Sequence, residues 1–305
     1  MKALVYDGKL NYRTDYPMPV PGPGEVLLKI RLAGVCNTDR EVLRGYRPDF
    51  SGILGHEFLA EVVEGSDLVG KRVVGELNEG CLACDYCKSG RESHCLERRV
   101  PGMSDRDGCF AEYMAYPLRL LHVVPDSLED EAVILTEPLA AACEIPELNH
   151  LPLSEPVGVV GDGRLAFLIA QVLAIAGREV VVFGRHEEKL KHFRAFAKTS
   201  LKPEGSFETV VEASGHPSGL GDAIHLTKAR GRIILKSTYA ERMSLDMSEI
   251  VVRELTITGS RCGPFEPALR LLERGLIEIP PIERFALEDY EQALGSGAFK
   301  AVFQF

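Results

Sequence analysis

Along the first half of the chain, short apolar runs rich in β-branched residues recur at Val26 to Leu32, Phe58 to Glu64 and Lys71 to Gly75, each broken off by Gly or Pro. Runs of that length between turn residues predict strands, so residues 1–151 read as a mostly β domain. The segment Pro17-Met-Pro-Val-Pro-Gly-Pro-Gly24 reads as a connection, since proline removes backbone donors and glycine permits turns; a polyproline docking site is the less favoured use of it. Near Leu151 the texture changes. Pro156 to Val160 is a continuous apolar run, Arg164 to Ala176 carries apolar residues at helical spacing, and Glu179 to Phe183 is a second apolar run.

That strand–helix–strand unit is followed by further alternation. Strands are predicted at Glu208 to Glu212, Gly231 to Lys236 and Glu254 to Thr258, and helices near Ser218 to Lys228 and Pro267 to Arg274. Strands separated by helices imply a parallel sheet covered on both faces, so the fold class is α/β, a doubly wound parallel sheet beside the mostly β domain. Residues 152–264 read as the parallel-sheet domain. Residues 265–305 carry its last helix and then short strand-like pieces, ending in Lys300 to Phe305, that rejoin the first domain.

Composition narrows the function. With 305 residues, 45% hydrophobic and 26% charged, the chain is long enough to bury two cores without covalent staples. A net charge of −10 argues against a nucleic-acid or anionic-membrane surface, because phosphate contacts need clustered Lys and Arg. A small-molecule partner is the better expectation. No apolar stretch reaches spanning length and Met1 runs straight into strand-like sequence, so a cytoplasmic setting is expected, where eight cysteines stay reduced.

Four of those cysteines lie close together: Cys81-Leu-Ala-Cys84-Asp-Tyr-Cys87, then Cys95 after seven more residues. Thiolates two residues apart on a tight turn can converge on one ion, and four complete a closed tetrahedral shell, which is how structural zinc is held. Disulfides suit a chain of this size poorly. A bacterial ferredoxin cluster would need a three-residue last gap and a proline, whereas here the last gap is seven and Leu96 follows.

A second signal is Val160-Gly161-Asp162-Gly163-Arg164-Leu165-Ala166, set between the first predicted strand and helix of the α/β region. Gly161 permits the tight turn, Gly163 lets the backbone approach a pyrophosphate, and the helix start supplies free N–H groups and a positive dipole. This is the dinucleotide-binding turn of a Rossmann sheet; the plainer reading is an ordinary strand-to-helix turn. Asp162 adds negative charge beside the expected phosphates unless it points outward, and Arg164 is placed to offset it. At the end of the next strand, where NAD enzymes usually present an acid to the ribose, the chain has Phe183-Gly184-Arg185-His186. A missing carboxylate next to a guanidinium suits a 2′-phosphate, so NADP(H) is expected over NAD(H). The plainer use of Arg185 is to begin a helix whose solvated face is Glu187, Glu188 and Lys189.

Three further pieces complete the picture: Gly34-Val-Cys36-Asn-Thr38-Asp39, Gly55-His56-Glu57 and Thr136-Glu137-Pro138-Leu139-Ala140. Each alone is ordinary; together, with the cysteine loop and the glycine turn, they resemble the zinc-dependent medium-chain alcohol and polyol dehydrogenase/reductase family. Gly108-Cys-Phe-Ala-Glu-Tyr113 and Glu212-Ala-Ser214-Gly215 extend the resemblance over nearly the whole chain. It implies a GroES-like catalytic domain in two segments around a Rossmann domain, with the active site in the cleft between them. It also implies two zinc ions per subunit, a structural one in the cysteine loop and a catalytic one on Cys36, His56 and Glu137, with Glu57 ligating in some states. Thr38 takes the place of the hydroxyl relay: an alcohol proton leaves through it while hydride passes to the nicotinamide. A homo-oligomer, dimer or tetramer, is implied too, with the last Rossmann strand available for pairing across a dimer.

Some positions depart from the family. Glu41 stands where many relatives carry a histidine beyond the relay, and the stretch between Arg185 and Glu208 is short, which predicts a trimmed helix or strand at the sheet edge. Ser237-Thr238-Tyr239 and Gly259-Ser-Arg-Cys262-Gly-Pro-Phe265 follow Rossmann strands and are placed to line the cofactor or substrate cleft. Cys109 and Cys143 read as packing residues; Cys262 reads as a small buried residue, with a reactive thiol as the sharper alternative, and His94 adjoins Cys95 as an alternative ligand to a cysteine set that is already complete. An enoyl or quinone reductase is disfavoured because its chemistry needs no open zinc; a non-catalytic dinucleotide-binding protein would keep one zinc for folding only.

Overall fold

The computed structural model describes residues 1–238, 240–241 and 244–305, and these fall into two units: residues 1–137 with 281–305, and residues 138–280. The division comes inside the helix Thr136–Leu148 rather than near Leu151. A helix gives no break in apolar pattern at the point where its contacts change from one core to another, so only the later shift in texture was visible in the sequence.

The first unit is organised around the ten-residue strand Glu25–Gly34. Its inward positions Val26, Leu28 and Ile30 alternate with outward Lys29 and Arg31, the period-two pattern of a half-buried strand. It pairs antiparallel with Glu57–Glu64, Tyr113–Pro117 and Lys300–Gln304, and Ile282–Phe285 adds in parallel beyond Lys300–Gln304. On the other side Arg72–Gly75 and Leu121–Val123 extend the sheet from Glu57–Glu64. A separate three-stranded sheet of Ala3–Tyr6, Leu10–Arg13 and Gly52–Ile53 shares the same core. The rings of Phe110 and Phe303 meet edge-on at 4.9 Å within it, and truncating either to Ala would cost about 3–5 kcal/mol.

The second unit is a six-stranded sheet, every pair parallel, in the order Lys198–Ser200, Val180–Phe183, Val157–Val160, Phe207–Glu212, Thr227–Leu235, Thr256–Gly259. The chain runs outward in one direction from Val157–Val160 and then returns to build the other side, the doubly wound order of a dinucleotide-binding domain. Helix Arg164–Ile175 is apolar on nearly all sides, with eight consecutive buried residues from Ala166 to Leu173, as a helix covering a buried sheet must be. The short segment after Arg185 forms a four-residue helix, Glu187–Leu190, and a 3₁₀ turn before the edge strand Lys198–Ser200. The helix is trimmed and the strand survives. Thr227–Leu235 starts four residues earlier than its apolar run suggests, because Thr227 closes helix Pro217–Leu226 by donating its hydroxyl to Ala223 O at 2.6 Å and the chain extends at once. Among the described residues, no helix is long and apolar enough to cross a membrane.

Candidate metal centre and dinucleotide turn

The end of the central strand builds the first site. Gly34 lies opposite both Glu57 and Val302 in the sheet, so three chain segments converge there. Two residues on, Cys36 caps the helix Asn37–Leu43, and its backbone N–H donates to Asp39 Oδ2 at 2.8 Å. His56 comes just before the strand Glu57–Glu64, so pairing of that strand with Glu25–Gly34 delivers His56 and Glu57 to the same corner. As a result one donor atom from each of Cys36, His56 and Glu57 lies within 4.8 Å of the others, with both His56 and Glu57 buried. Glu137, half-buried in the first turn of helix Thr136–Leu148, is not drawn into that set. Thr38 Oγ1 stands 3.7 Å from Cys36 Sγ.

Two charged residues behind the cluster went unassigned in the sequence. Asp39 is wholly buried, and its Oδ1 lies 3.1 Å from His56 Nδ1. A carboxylate this close to one ring nitrogen leaves the other available as a ligand, as in sites where a carboxylate backs a metal-binding imidazole. Burial opposes charge on His56, but Asp39 and Cys36 outweigh it and hold the imidazole well above its ordinary range. Lys300, also wholly buried, pairs through Nζ with Glu57 Oε2. The corner thus gathers a thiol and two carboxylates around one imidazole and one ammonium, a donor set that suits a divalent cation with mixed sulfur, nitrogen and oxygen ligands. Glu41, where a relay histidine was looked for, is buried and bound to Arg44 at 2.7 Å.

The cysteine loop is the second metal-binding geometry. Sγ–Sγ separations are 3.6 Å for Cys84–Cys87, 3.8 Å for Cys84–Cys95 and 4.0 Å for Cys81–Cys87. A disulfide would need about 2.05 Å. Thiolates at about 2.3 Å from one zinc stand about 3.8 Å apart along the edges of a tetrahedron, which these distances match. Backbone N–H groups of Ala83 and Cys84 favour the Cys81 thiolate and bring that thiol down to about 7. His94, in the 3₁₀ turn just before Cys95, is outside the four-sulfur group. Cys109 and Cys143 are buried packing residues whose thiols are pushed up by burial, Cys143 to about 11, and Cys262 is half-buried.

In the second unit, Gly161 takes a φ of +131°, and a Cβ there would sit 2.6 Å from Ala213 O, so only glycine fits. Gly163 caps helix Arg164–Ile175, with nothing within 4 Å of where its Cβ would be, which leaves the open approach a pyrophosphate requires. Arg164 and Leu165 form the first turn beyond it. Ser214 Oγ donates to the buried carboxylate of Glu212 at 2.6 Å, and Ser237 Oγ accepts from Gly215 N at 2.8 Å, so both hydroxyls brace the loops at the sheet's C-terminal edge. Tyr239 lies outside the described residues. Asp162 does not face the turn's open side: it bends toward the Gly184-Arg185-His186 loop.

Residues 22–126 match the alcohol dehydrogenase GroES-like domain family. An L-threonine 3-dehydrogenase of Streptomyces avermitilis is 31% identical, the alignment covering 98% of this chain and 96% of the relative, and a sorbitol dehydrogenase of Halalkalibacterium halodurans is 27% identical over 96% and 95%. Among solved structures, a zinc-binding dehydrogenase of Sinorhizobium meliloti bound to NADP superposes with a TM-score of 0.88 at 27% identity, over 100% of this chain and 99% of its own. The chain belongs to the zinc-dependent medium-chain alcohol and polyol dehydrogenase family.

Proposed function

We propose that this dehydrogenase interconverts an alcohol or polyol and its carbonyl with NADP(H), using one zinc for chemistry on Cys36, His56 and Glu137, with Glu57 in reserve, and a second for folding on Cys81, Cys84, Cys87 and Cys95. The observation that carries this reading is the buried convergence of Cys36, His56 and Glu57 within 4.8 Å. A structural zinc alone does not call for such a second set. The relatives named above act on CH–OH groups, sorbitol and threonine by their names, and one solved relative holds NADP.

A zinc ion held there supplies Lewis acidity to a substrate oxygen, and the nicotinamide carries the hydride. The protein's own residues do the rest. Asp39 braces the His56 ring, Lys300 holds Glu57 back as an additional donor, and the part-exposed Thr38 hydroxyl, beside Cys36, accepts the alcohol proton as it releases its own to water. Glu137, in the first turn of helix Thr136–Leu148, would supply a further oxygen ligand to that zinc. Gly161, Gly163 and the first turn of helix Arg164–Ile175 cradle the pyrophosphate, and Arg185 answers the 2′-phosphate.

Metal analysis tests the zinc assignment. Two zinc ions per chain are expected, with Cys36→Ser losing one, together with turnover, while the fold persists; full activity in that variant would sink the mechanism. For the cofactor, the ratio of kcat/KM with NADP+ to that with NAD+ should fall sharply in Arg185→Asp, and an unchanged ratio would refute the role of Arg185. A panel of polyols and simple alcohols then selects the substrate.

A further inference from the structure

Asp162, the middle residue of the glycine turn, makes contacts that a pyrophosphate-binding turn does not need. Its Oδ2 accepts from the backbone N–H of Arg185 at 2.6 Å and of His186 at 2.8 Å, and it lies 2.9 Å from His186 Nδ1. The side chain is 13% exposed, half enclosed between two strand ends. Gly184 makes the room: a Cβ there would stand 2.6 Å from Asp162 Cβ and 2.8 Å from Oδ2. The position from which relatives with an acidic residue would offer a carboxylate to the ribose is therefore filled from the glycine turn, by a carboxylate whose charge is taken up by protein donors.

The far end of Arg185 is held as well. Its Nη2 donates to Ser218 Oγ in the first turn of helix Pro217–Leu226, and that hydroxyl lies 2.8 Å from His216 Nδ1. Arg185 is exposed, and a free guanidinium there would sample many rotamers. Instead its backbone is pinned from one loop and its guanidinium from another, so the freedom lost on binding a phosphate is already surrendered.

We infer that Asp162 is a positioning residue for cofactor choice: it pins the loop Gly184-Arg185-His186 so that Arg185, steadied by Ser218, is presented to the cofactor's 2′-phosphate. This rests on the NADP reading above. The opposing possibility is that Asp162 takes over the task of the missing ribose acid and repels a phosphate, and the two differ in the sign of what its removal does.

The test uses the full-length, zinc-loaded protein and two fragments that differ only by the 2′-phosphate, 2′,5′-ADP and 5′-AMP, titrated by calorimetry. The wild type should bind 2′,5′-ADP the more tightly; equal binding would overturn the NADP reading itself. Given that preference, Asp162→Ala should weaken 2′,5′-ADP on the order of tenfold while changing 5′-AMP by less than about twofold. Asp162→Asn, whose amide oxygen still accepts both backbone N–H groups, should recover most of the loss. Equal weakening of both fragments by Asp162→Ala would mean general damage to the turn, and tighter 2′,5′-ADP binding in either variant would mean that the carboxylate repels phosphate. Either result overturns the positioning role while leaving the NADP reading standing.

Discussion

The carboxylate of Glu57 and the ammonium of Lys300 form an ion pair in which neither side chain reaches solvent. Gly34 makes the approach possible, because a Cβ there would fall onto both groups. Burial drives the Lys300 ammonium down, to about 7, and the nearby charges of Cys36 and Asp39 oppose that fall. Such a pair contributes little net stability, since desolvation offsets attraction, but breaking it leaves one charge stranded. Lys300→Met should therefore destabilise the protein by about 3–5 kcal/mol in urea unfolding. The double variant Lys300→Met with Glu57→Gln should be more stable than Lys300→Met alone. If the two losses simply add, the pair is not what holds either residue.

Asp39 should matter to metal more than to fold. Asp39→Asn keeps the shape and the acceptor for Cys36 N–H but removes the charge facing His56, so the imidazole loses its orientation and some of its basicity. Zinc affinity at the Cys36 site should fall about 10–100-fold, read by competition with a chromogenic chelator, with the four-cysteine zinc retained. Unaltered affinity would show that backbone geometry alone orients His56.

The cysteine loop predicts the opposite partition. Cys95 is the buried member of the set, and Cys95→Ser should lose one zinc and lower the melting temperature, whereas chelator should add little further loss at that site. A metal bound at about a thousandfold over its dissociation constant stabilises the folded state by about 4 kcal/mol, which sets the scale of the expected shift. A Cys95→Ser protein that melts with the wild type would mean that the loop's zinc does not brace the unit.

Much of this centre could be read from the sequence because its chemistry is local. Cys81, Cys84, Cys87 and Cys95 sit within fifteen residues, and the glycine turn lies between a strand and a helix that periodicity reveals. What stayed hidden depends on register. Lys300 is 243 positions from Glu57, and in the run Lys300–Gln304 it looks like the polar first residue of an edge strand; only the pairing of Val302 with Gly34 buries it. Asp39 is an acid in a helix's first turn, and nothing local tells that its second oxygen faces His56. Asp162 was visible as a misplaced charge, but its donors come from a loop more than twenty residues on. The edge strand Lys198–Ser200 is too short and polar to carry a pattern, and exists because Val180–Phe183 offers it a parallel partner.

Acid sensitivity should appear at Asp130, which belongs to neither metal set. Its carboxylate bonds Arg72 Nη1 at 2.6 Å and Arg31 Nη2 at 2.8 Å, tying the strands Glu25–Gly34 and Arg72–Gly75 to the helical turn Asp130–Val133. Partial burial pushes its pKa up, but the two guanidinium groups outweigh that and hold it below its ordinary value of 3.8. A carboxylate with a depressed folded pKa adds stability that is fully present above the unfolded value and is lost as pH falls through the folded one. Asp130→Asn should therefore melt below the wild type at pH 7, and the gap should close progressively as pH falls below about 4. A gap that persists unchanged at pH 3 would mean that packing of the turn, rather than the charge of Asp130, is what the substitution removes.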